Sequence, residues 1–256
     1  MSTTCLKILG LTYEDTGGGA SIAAVQLTKF LRKKGIDAVL GVYRKNSTND
    51  FVLELPRKKR TLIWYFKKVA RKLGLRIEKH FKTDNPVLHS RNTESLVDIE
   101  YINNSDFDLV HLHWINHDMI SIEDIAKIKK PLVWTLHDSW PFSGAEHHFD
   151  ILEDDERFIH GYLNSNKPAS TKGIDICRYT WKNKKKFWKN IEIAFIAPSR
   201  WEKEMLTSSF LFKTSRCEVI PNVVDSSVYR KVPSCEIMQS LNIGNRTVVG
   251  FGAAYG

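Results

Sequence analysis

The sequence predicts an α/β protein built on a mostly parallel, Rossmann-like sheet. Short apolar runs alternate with longer segments of helical period, the pattern of strands joined by crossover helices. The runs are continuously apolar, as in strands buried on both faces. The first run also passes through a glycine-rich loop straight into an amphipathic segment.

In order, residues 6–12 form the first strand and Gly17, Gly18 and Gly19 its following loop. Residues 20–34 have helical period through Ile22, Val25, Leu27, Phe30 and Leu31, and Gly35 closes that helix. Residues 36–43 form the second strand. Later strands fall at 109–113, 131–136, 193–197 and 218–220, with helices at 62–81, 121–129, 178–190 and 199–208. Residues 146–172 lack a period and are rich in His, Asp, Asn and Pro, which predicts a long surface excursion. After Ile220-Pro221-Asn222 comes a polar connection, then a fresh apolar strand at 246–251 running into Gly252. That strand has no sheet to join before Gly256. The expected division is therefore one domain at 1–225, with 226–256 a linker and the first strand of a truncated second domain.

With 256 residues, 42% of them hydrophobic and 26% charged, the chain is neither disordered nor fibrous. It contains no apolar run of the roughly 20 residues that span a bilayer, and its first residues do not read as a signal peptide. The expectation is a cytoplasmic protein. Cys5, Cys177, Cys217 and Cys235 show no C-x-x-C pair and read as reduced thiols.

The net charge of +9 is concentrated in one stretch. Residues 57–82 carry eleven basic side chains, among them Arg57, Lys58, Lys59, Arg60, Lys67, Lys68, Arg71 and Lys72, against the single acid Glu78. Two readings of this stretch stand side by side. One is a solvated charged face over a packed helix; the other is an amphipathic helix on anionic lipid, with Trp64, Tyr65 and Phe66 at the interface. Nucleic acid is not an expected partner, because no recognition module is present.

Two constellations carry chemistry. Glycines 17–19 between a strand and a helix N-terminus offer backbone N–H groups and a positive dipole end to a phosphate or sugar oxygen. The loop is neither G-x-G-x-x-G nor a Walker loop, and a plain tight turn is the alternative reading. His137 and Asp138 stand at the carboxyl end of an apolar strand, where ligands bind in open α/β sheets. His111 and His113 occupy a similar strand end, and packing is the stronger reading for His111. Trp114, Trp134, Trp140 and Phe142 read as packing residues. Glu146, His147 and His148 with Cys177 suggest metal ligands, but adjacent histidines do not easily share a face and no regular spacing supports them.

The ordered motifs D-L-V-H-L-H-W, P-L-V-W-T-L-H-D-S-W-P-F, I-A-P-S-R-W and V-I-P-N-x-x-D resemble the family-4 retaining glycosyltransferases of the GT-B fold. The resemblance runs from residue 5 to residue 256 and is strongest to enzymes of exopolysaccharide, colanic-acid-like and lipopolysaccharide assembly. It implies that the chain is the N-terminal, acceptor-side half of a GT-B enzyme, with a nucleotide-sugar donor and a saccharide or lipid-linked acceptor. It also implies no cofactor and no required metal. The implied roles fall on His137 as the catalytic residue near the transferred sugar, and on Gly17, Gly18, Gly19 and Asp138 as donor or acceptor contacts. Lipid-linked acceptors would bring the protein to the inner membrane face. The family's nucleotide pocket and its Glu-x7-Glu region have no counterpart here, and Val223 stands where a glycine is usual. A missing second domain or partner chain is therefore expected, and an inactive acceptor-, membrane- or partner-binding half-enzyme is the alternative function.

Overall fold

The computed structural model describes residues 6–59, 65–66, 69–70, 81–149, 155–231, 238–239, 241–242 and 249. Its centre is a seven-stranded sheet in the order β3-β2-β1-β4-β5-β6-β7, every neighbouring pair parallel. The strands are β1 (Lys7–Glu14), β2 (Asp37–Arg44), β3 (Val52–Glu54), β4 (Leu109–Leu112), β5 (Leu132–Thr135), β6 (Ile193–Ala197) and β7 (Cys217–Val219). This is the Rossmann-like layer expected from the alternating pattern. Because the chain runs outward from β1 to β3 and then returns to β4, the order reverses between β1 and β4, which opens a crevice at their carboxyl ends.

Helix α1 (Gly19–Lys33) follows β1 with Ser21, Ala24, Val25 and Thr28 buried. It encloses a small core with Leu40, Val42, Phe51 and Val52. Arg32 and Lys33 in its last turn favour the negative end of its dipole, and Gly35, at φ +81°, turns the chain out of it. Near β1 and β2 the sheet is tightly filled, since a Cβ on Gly41 would lie 3.0 Å from Leu11 and 3.1 Å from Leu55.

The larger core includes Leu9, Leu11, Val110 and Leu112, with Trp134, Trp140, Trp188, Phe195 and Phe212 fully or almost fully buried. Helices α2 (Ile99–Asn104), α3 (Ile122–Ile125), α4 (Arg157–His160), α5 (Ile176–Phe187) and α6 (Arg200–Ser208) accompany it, with a 3-10 turn at Trp140–Phe142. Asp98, Ser121, Asp175 and Ser199 cap α2, α3, α5 and α6 by accepting first-turn N–H bonds. Trp134, Trp140 and Phe142 hold the packing role expected of them.

Some elements differ from the sequence expectation. Strand β3 and helices α2 and α4 are too short for a periodic signal, and α3 is one turn rather than the full 121–129. The stretch 146–172 is not a surface excursion throughout: Glu146, His147, Arg157, Phe158 and Tyr162 are buried. Paired polar groups, rather than an apolar period, hold it against the core. Arg157 donates to Asp175 at 2.5 Å and lies 4.4 Å from the Tyr162 ring centroid, while Tyr162 donates its hydroxyl to Glu146.

The chain divides into two compact units, Met1–Val223 and Val224–Gly256. Within the second, Asp225 Oδ1 accepts a hydrogen bond from the Ser227 amide at 2.9 Å. The expected strand at 246–251 lies outside the described residues apart from position 249, as does most of the expected helix at 62–81. The pairs 65–66 and 69–70 are helical there, with Tyr65, Phe66 and Val69 exposed.

Candidate functional site

At the crevice the structure brings together the loop after β1, the loop after β4 and the end of β5. The glycine loop presents a bare helix end. Gly18 is the N-cap of α1, no side chain caps the helix, and no acid stands in its first turn. A Cβ on Gly18 or Gly19 would meet nothing within 4 Å, so both face open space. Gly17 differs, since its φ of +109° favours glycine and a Cβ there would lie 2.8 Å from Glu14 Oε1.

Asp15 anchors this loop. Its carboxylate accepts from the Asn46 amide at 2.7 Å and the Ser47 amide at 2.9 Å. Burial works against its charge, yet the hydrogen bonds from Ser47 and Asn46 hold its pKa below the usual carboxylate value. Asn46 in turn donates to Thr16 Oγ1 at 3.0 Å.

Across the switch point, Tyr13 at the end of β1 meets Tyr43 at 5.4 Å, Trp114 at 6.2 Å and His117 at 5.1 Å between ring centroids. Arg44 lies 5.7 Å from the Tyr13 ring centroid. His117 and Asp118 are consecutive non-glycine residues at φ +53° and +58°. Such conformations cost of order 1–3 kcal/mol each and gather at functional sites. Asp118 holds the turn by accepting from the Thr93 amide at 3.0 Å. Burial, and then the neighbouring His147, lower the pKa of His117.

Three histidines stack along the ends of β4 and β5. His111 and His113 lie 4.4 Å apart and His113 and His137 5.3 Å apart, both pairs at 28°. His111 Nε2 pairs with Thr135 Oγ1 at 2.8 Å, and His113 Nδ1 with His137 Nε2 at 3.0 Å. Burial pushes the pKa of His111 and of His137 down to about 4 and that of His113 well below its ordinary value. All three are neutral at pH 7. A neutral His137 can offer a hydrogen bond but not a positive charge, and His111 has the packing role expected of it. His111 and His113 also line an apolar groove of about 300 Å³ beside α1, with Leu27, Leu31, Val133 and Ile196.

Asp138, expected as a ligand contact, has its carboxylate engaged by Trp114 Nε1 at 2.9 Å, the Trp140 amide at 3.0 Å and His147 Nδ1 at 2.6 Å. Burial opposes its charge, but these bonds keep its pKa low. His147 Nε2 continues to Ser90 Oγ at 2.9 Å. The order Asp-His-Ser is that of a nucleophile relay, but Ser90 is only 7% exposed. A substrate carbonyl has no approach to that hydroxyl, and the relay fixes a loop.

The same loop is clamped from below by Lys184, whose buried ammonium donates to the carbonyls of Trp140, Ser143 and Gly144. Its Nζ lies 3.9 Å from the Trp140 ring centroid. Burial lowers its pKa to about 7, but three carbonyl acceptors match the three N–H groups of the charged form.

Of the basic residues, Arg57 lies 5.1 Å from the Tyr43 ring centroid and Lys58 is tied to the buried Asp124 at 2.8 Å, while Lys59 is exposed. Arg60, Lys67, Lys68, Arg71 and Lys72 lie outside the described residues. Of the residues weighed and set aside as metal ligands, Glu146 and Cys177 do converge, with His89 rather than with the adjacent histidines. Sequence reasoning missed Tyr13, Arg44, His117 and Lys184. Tyr13 and Arg44 were legible as strand-end residues, but nothing local marked His117 or Lys184.

A parallel sheet with a bare helix end and a polar strand end at its switch point is the framework of a nucleotide- or sugar-handling α/β domain. Residues 17–228 match the model of Glycosyltransferase Family 4, and the chain belongs to that family. Among solved structures, one that it resembles is WaaG, a glycosyltransferase involved in lipopolysaccharide biosynthesis, at 9% identity and a TM-score of 0.37. The match covers 93% of this chain and 52% of that one, so the chain spans about half its length. No curated protein matches the sequence.

Proposed function

We propose that this chain supplies the acceptor-side half of a retaining glycosyltransferase that moves a sugar from a nucleotide-diphosphate donor to a saccharide or lipid-linked acceptor in cell-surface polysaccharide synthesis. The observation that carries the reading is the uncapped N-terminus of α1, which follows β1, on the same carboxyl edge of the sheet as His137, which follows β5 one strand beyond β4. In the reaction the bond between the anomeric carbon and the diphosphate oxygen breaks, and negative charge grows on the leaving group. Backbone N–H groups and the helix dipole at Gly18 and Gly19 favour that charge without reorganising. Neutral His137, with Nε2 engaged by His113, keeps Nδ1 for a sugar hydroxyl and orients the donor. Asp138 serves as a positioning residue through Trp114 and His147. No metal is required in this scheme, and the donor's nucleotide is held by a second domain or partner chain.

The test is His137→Ala in the full-length protein, assayed with its nucleotide-sugar donor. The expected result is a fall in kcat of about 10²-fold, as for loss of one preorganised donor group, with the fold retained. Unchanged turnover would remove His137 from the mechanism.

A further inference from the structure

Outside the crevice, three side chains from distant parts of the chain converge. The ligand atoms of His89, Glu146 and Cys177 all lie within 4.8 Å of one another. They border a cavity of about 30 Å³, also lined by Asp155 and Thr171, which is room for one ion or one water. We propose that these residues bind a structural zinc ion.

The state of each ligand points to a cation. His89 Nδ1 lies 2.7 Å from the Val87 carbonyl, which can only accept. Nδ1 therefore carries the proton, and Nε2 presents a lone pair. A second-shell carbonyl of this kind is how metal-bound histidines are oriented. Glu146 is 2% exposed; its Oε1 accepts from the Gly144 amide at 3.1 Å and from the Tyr162 hydroxyl. Its Oε2, also buried, has no hydrogen-bond partner of good geometry. Among the described residues the Cys177 thiol is its one neighbour able to donate; burial and that carboxylate hold the thiol proton on, and a cation would replace the proton between sulfur and oxygen. Gly144 makes the space, since a Cβ there would lie 2.6 Å from Glu146 Oε2 and 2.8 Å from Cys177 Cβ.

Nitrogen, thiolate sulfur and carboxylate oxygen together suit zinc, and the open side toward Asp155 leaves its fourth position. A thiolate and a carboxylate neutralise the ion; of the nearby cations, Arg157 is already paired with Asp175 and Lys184 is held by the carbonyls of Trp140, Ser143 and Gly144. Binding would release the Cys177 thiol proton to solvent. The ion would join the segment around His89, the loop after the 3-10 turn and the first turn of α5. The first two are already paired, with the Ser90 amide on the Ala145 carbonyl at 2.7 Å and the His147 amide on the Leu88 carbonyl at 3.0 Å. The loop fixed in this way carries His147 and its bond to Asp138, so the ion acts on structure and not on sugar transfer.

The experiment is titration of the chelator-treated 256-residue chain with cobalt(II). One equivalent should produce a thiolate-to-cobalt charge-transfer band and the visible spectrum of a four-coordinate ion, both displaced by zinc. Cys177→Ser should lose the charge-transfer band, and Glu146→Gln should weaken binding by at least 10-fold. On the unaltered chain, one equivalent of zinc should raise the urea concentration at which the buried Cys177 becomes open to iodoacetamide, read by peptide mass spectrometry, so the result does not depend on a variant folding. Absence of the band at one equivalent, or zinc without effect on Cys177 alkylation, would overturn the proposal and leave the cavity to water.

Discussion

The buried histidine stack makes a quantitative prediction about acid. His111 has a folded-state pKa of about 4 against an ordinary 6.5. A depressed pKa means that between these values the unfolded chain binds more protons, so stability is full above pH 6.5 and falls as pH drops toward 4. From pH 7.5 to 5.0 the linkage amounts to about 2 kcal/mol for this residue, and about the same for His137. Glu202 works in the opposite sense. Burial raises its pKa from 4.5 to about 7, so it contributes about 2 kcal/mol more stability over the same descent. The pH dependence of the unaltered chain is therefore a partial cancellation, and the informative quantity is a difference between proteins. His111→Asn should destabilise by about 1–3 kcal/mol at pH 7.5, because the bond to Thr135 is lost and the buried hydroxyl is left unpaired. At pH 5.0 the gap should close by about 2 kcal/mol, since the variant no longer carries the linked protonation. Urea unfolding followed by tryptophan fluorescence at the two pH values measures both. A gap of the same size at pH 7.5 and 5.0 would refute the assignment of His111 as a buried neutral imidazole.

The glycine loop separates fold from function: Gly17→Ala should cost about 1–2 kcal/mol of stability for its left-handed φ. Gly18→Ala, in open space, should leave urea stability nearly unchanged and still weaken donor binding in the full-length protein, because the methyl group occupies ligand space; unchanged binding would make the loop a plain turn. Lys184→Met should destabilise by about 3–5 kcal/mol, because three buried carbonyls lose their donor at about 1–3 kcal/mol each, and calorimetry reads the result directly. The basic stretch offers a membrane test by vesicle sedimentation. Replacing Lys67, Lys68, Arg71 and Lys72 with glutamine should reduce partition onto anionic vesicles by at least 10²-fold, at about 1 kcal/mol per charge. Equal partition would assign those residues to a solvated face.

Much of the scaffold was legible because its signals are local. The apolar run 193–197 coincides with β6, and Gly35 ends α1 where a left-handed residue was required. The expected helices at 121–129 and 199–208 do open at Ser121 and Ser199, but the first is a single turn. Length escaped prediction because it depends on what each helix packs against. Glycines 17–19 and His137 stood out because a loop between strand and helix, and a polar residue ending an apolar strand, mark the binding edge of a parallel sheet.

The sequence by itself determined the α/β class and the family, since strand runs, helix period and ordered motifs each involve residues close together in the chain. Only tertiary structure decided the chemistry of the side chains at the carboxyl edge of the sheet. Asp138 became an anchoring carboxylate because Trp114 and His147 reach it from 24 and 9 residues away. Lys184 reads as a surface charge in a basic helix, yet it is fully buried because three carbonyls more than forty positions or forty positions distant receive it. His89, Glu146 and Cys177 share no local pattern and meet only when the sheet has formed. The physical reason is common to all three: the state of a polar group is set by its dielectric surroundings and its partners in space, and neither is a property of its neighbours in sequence.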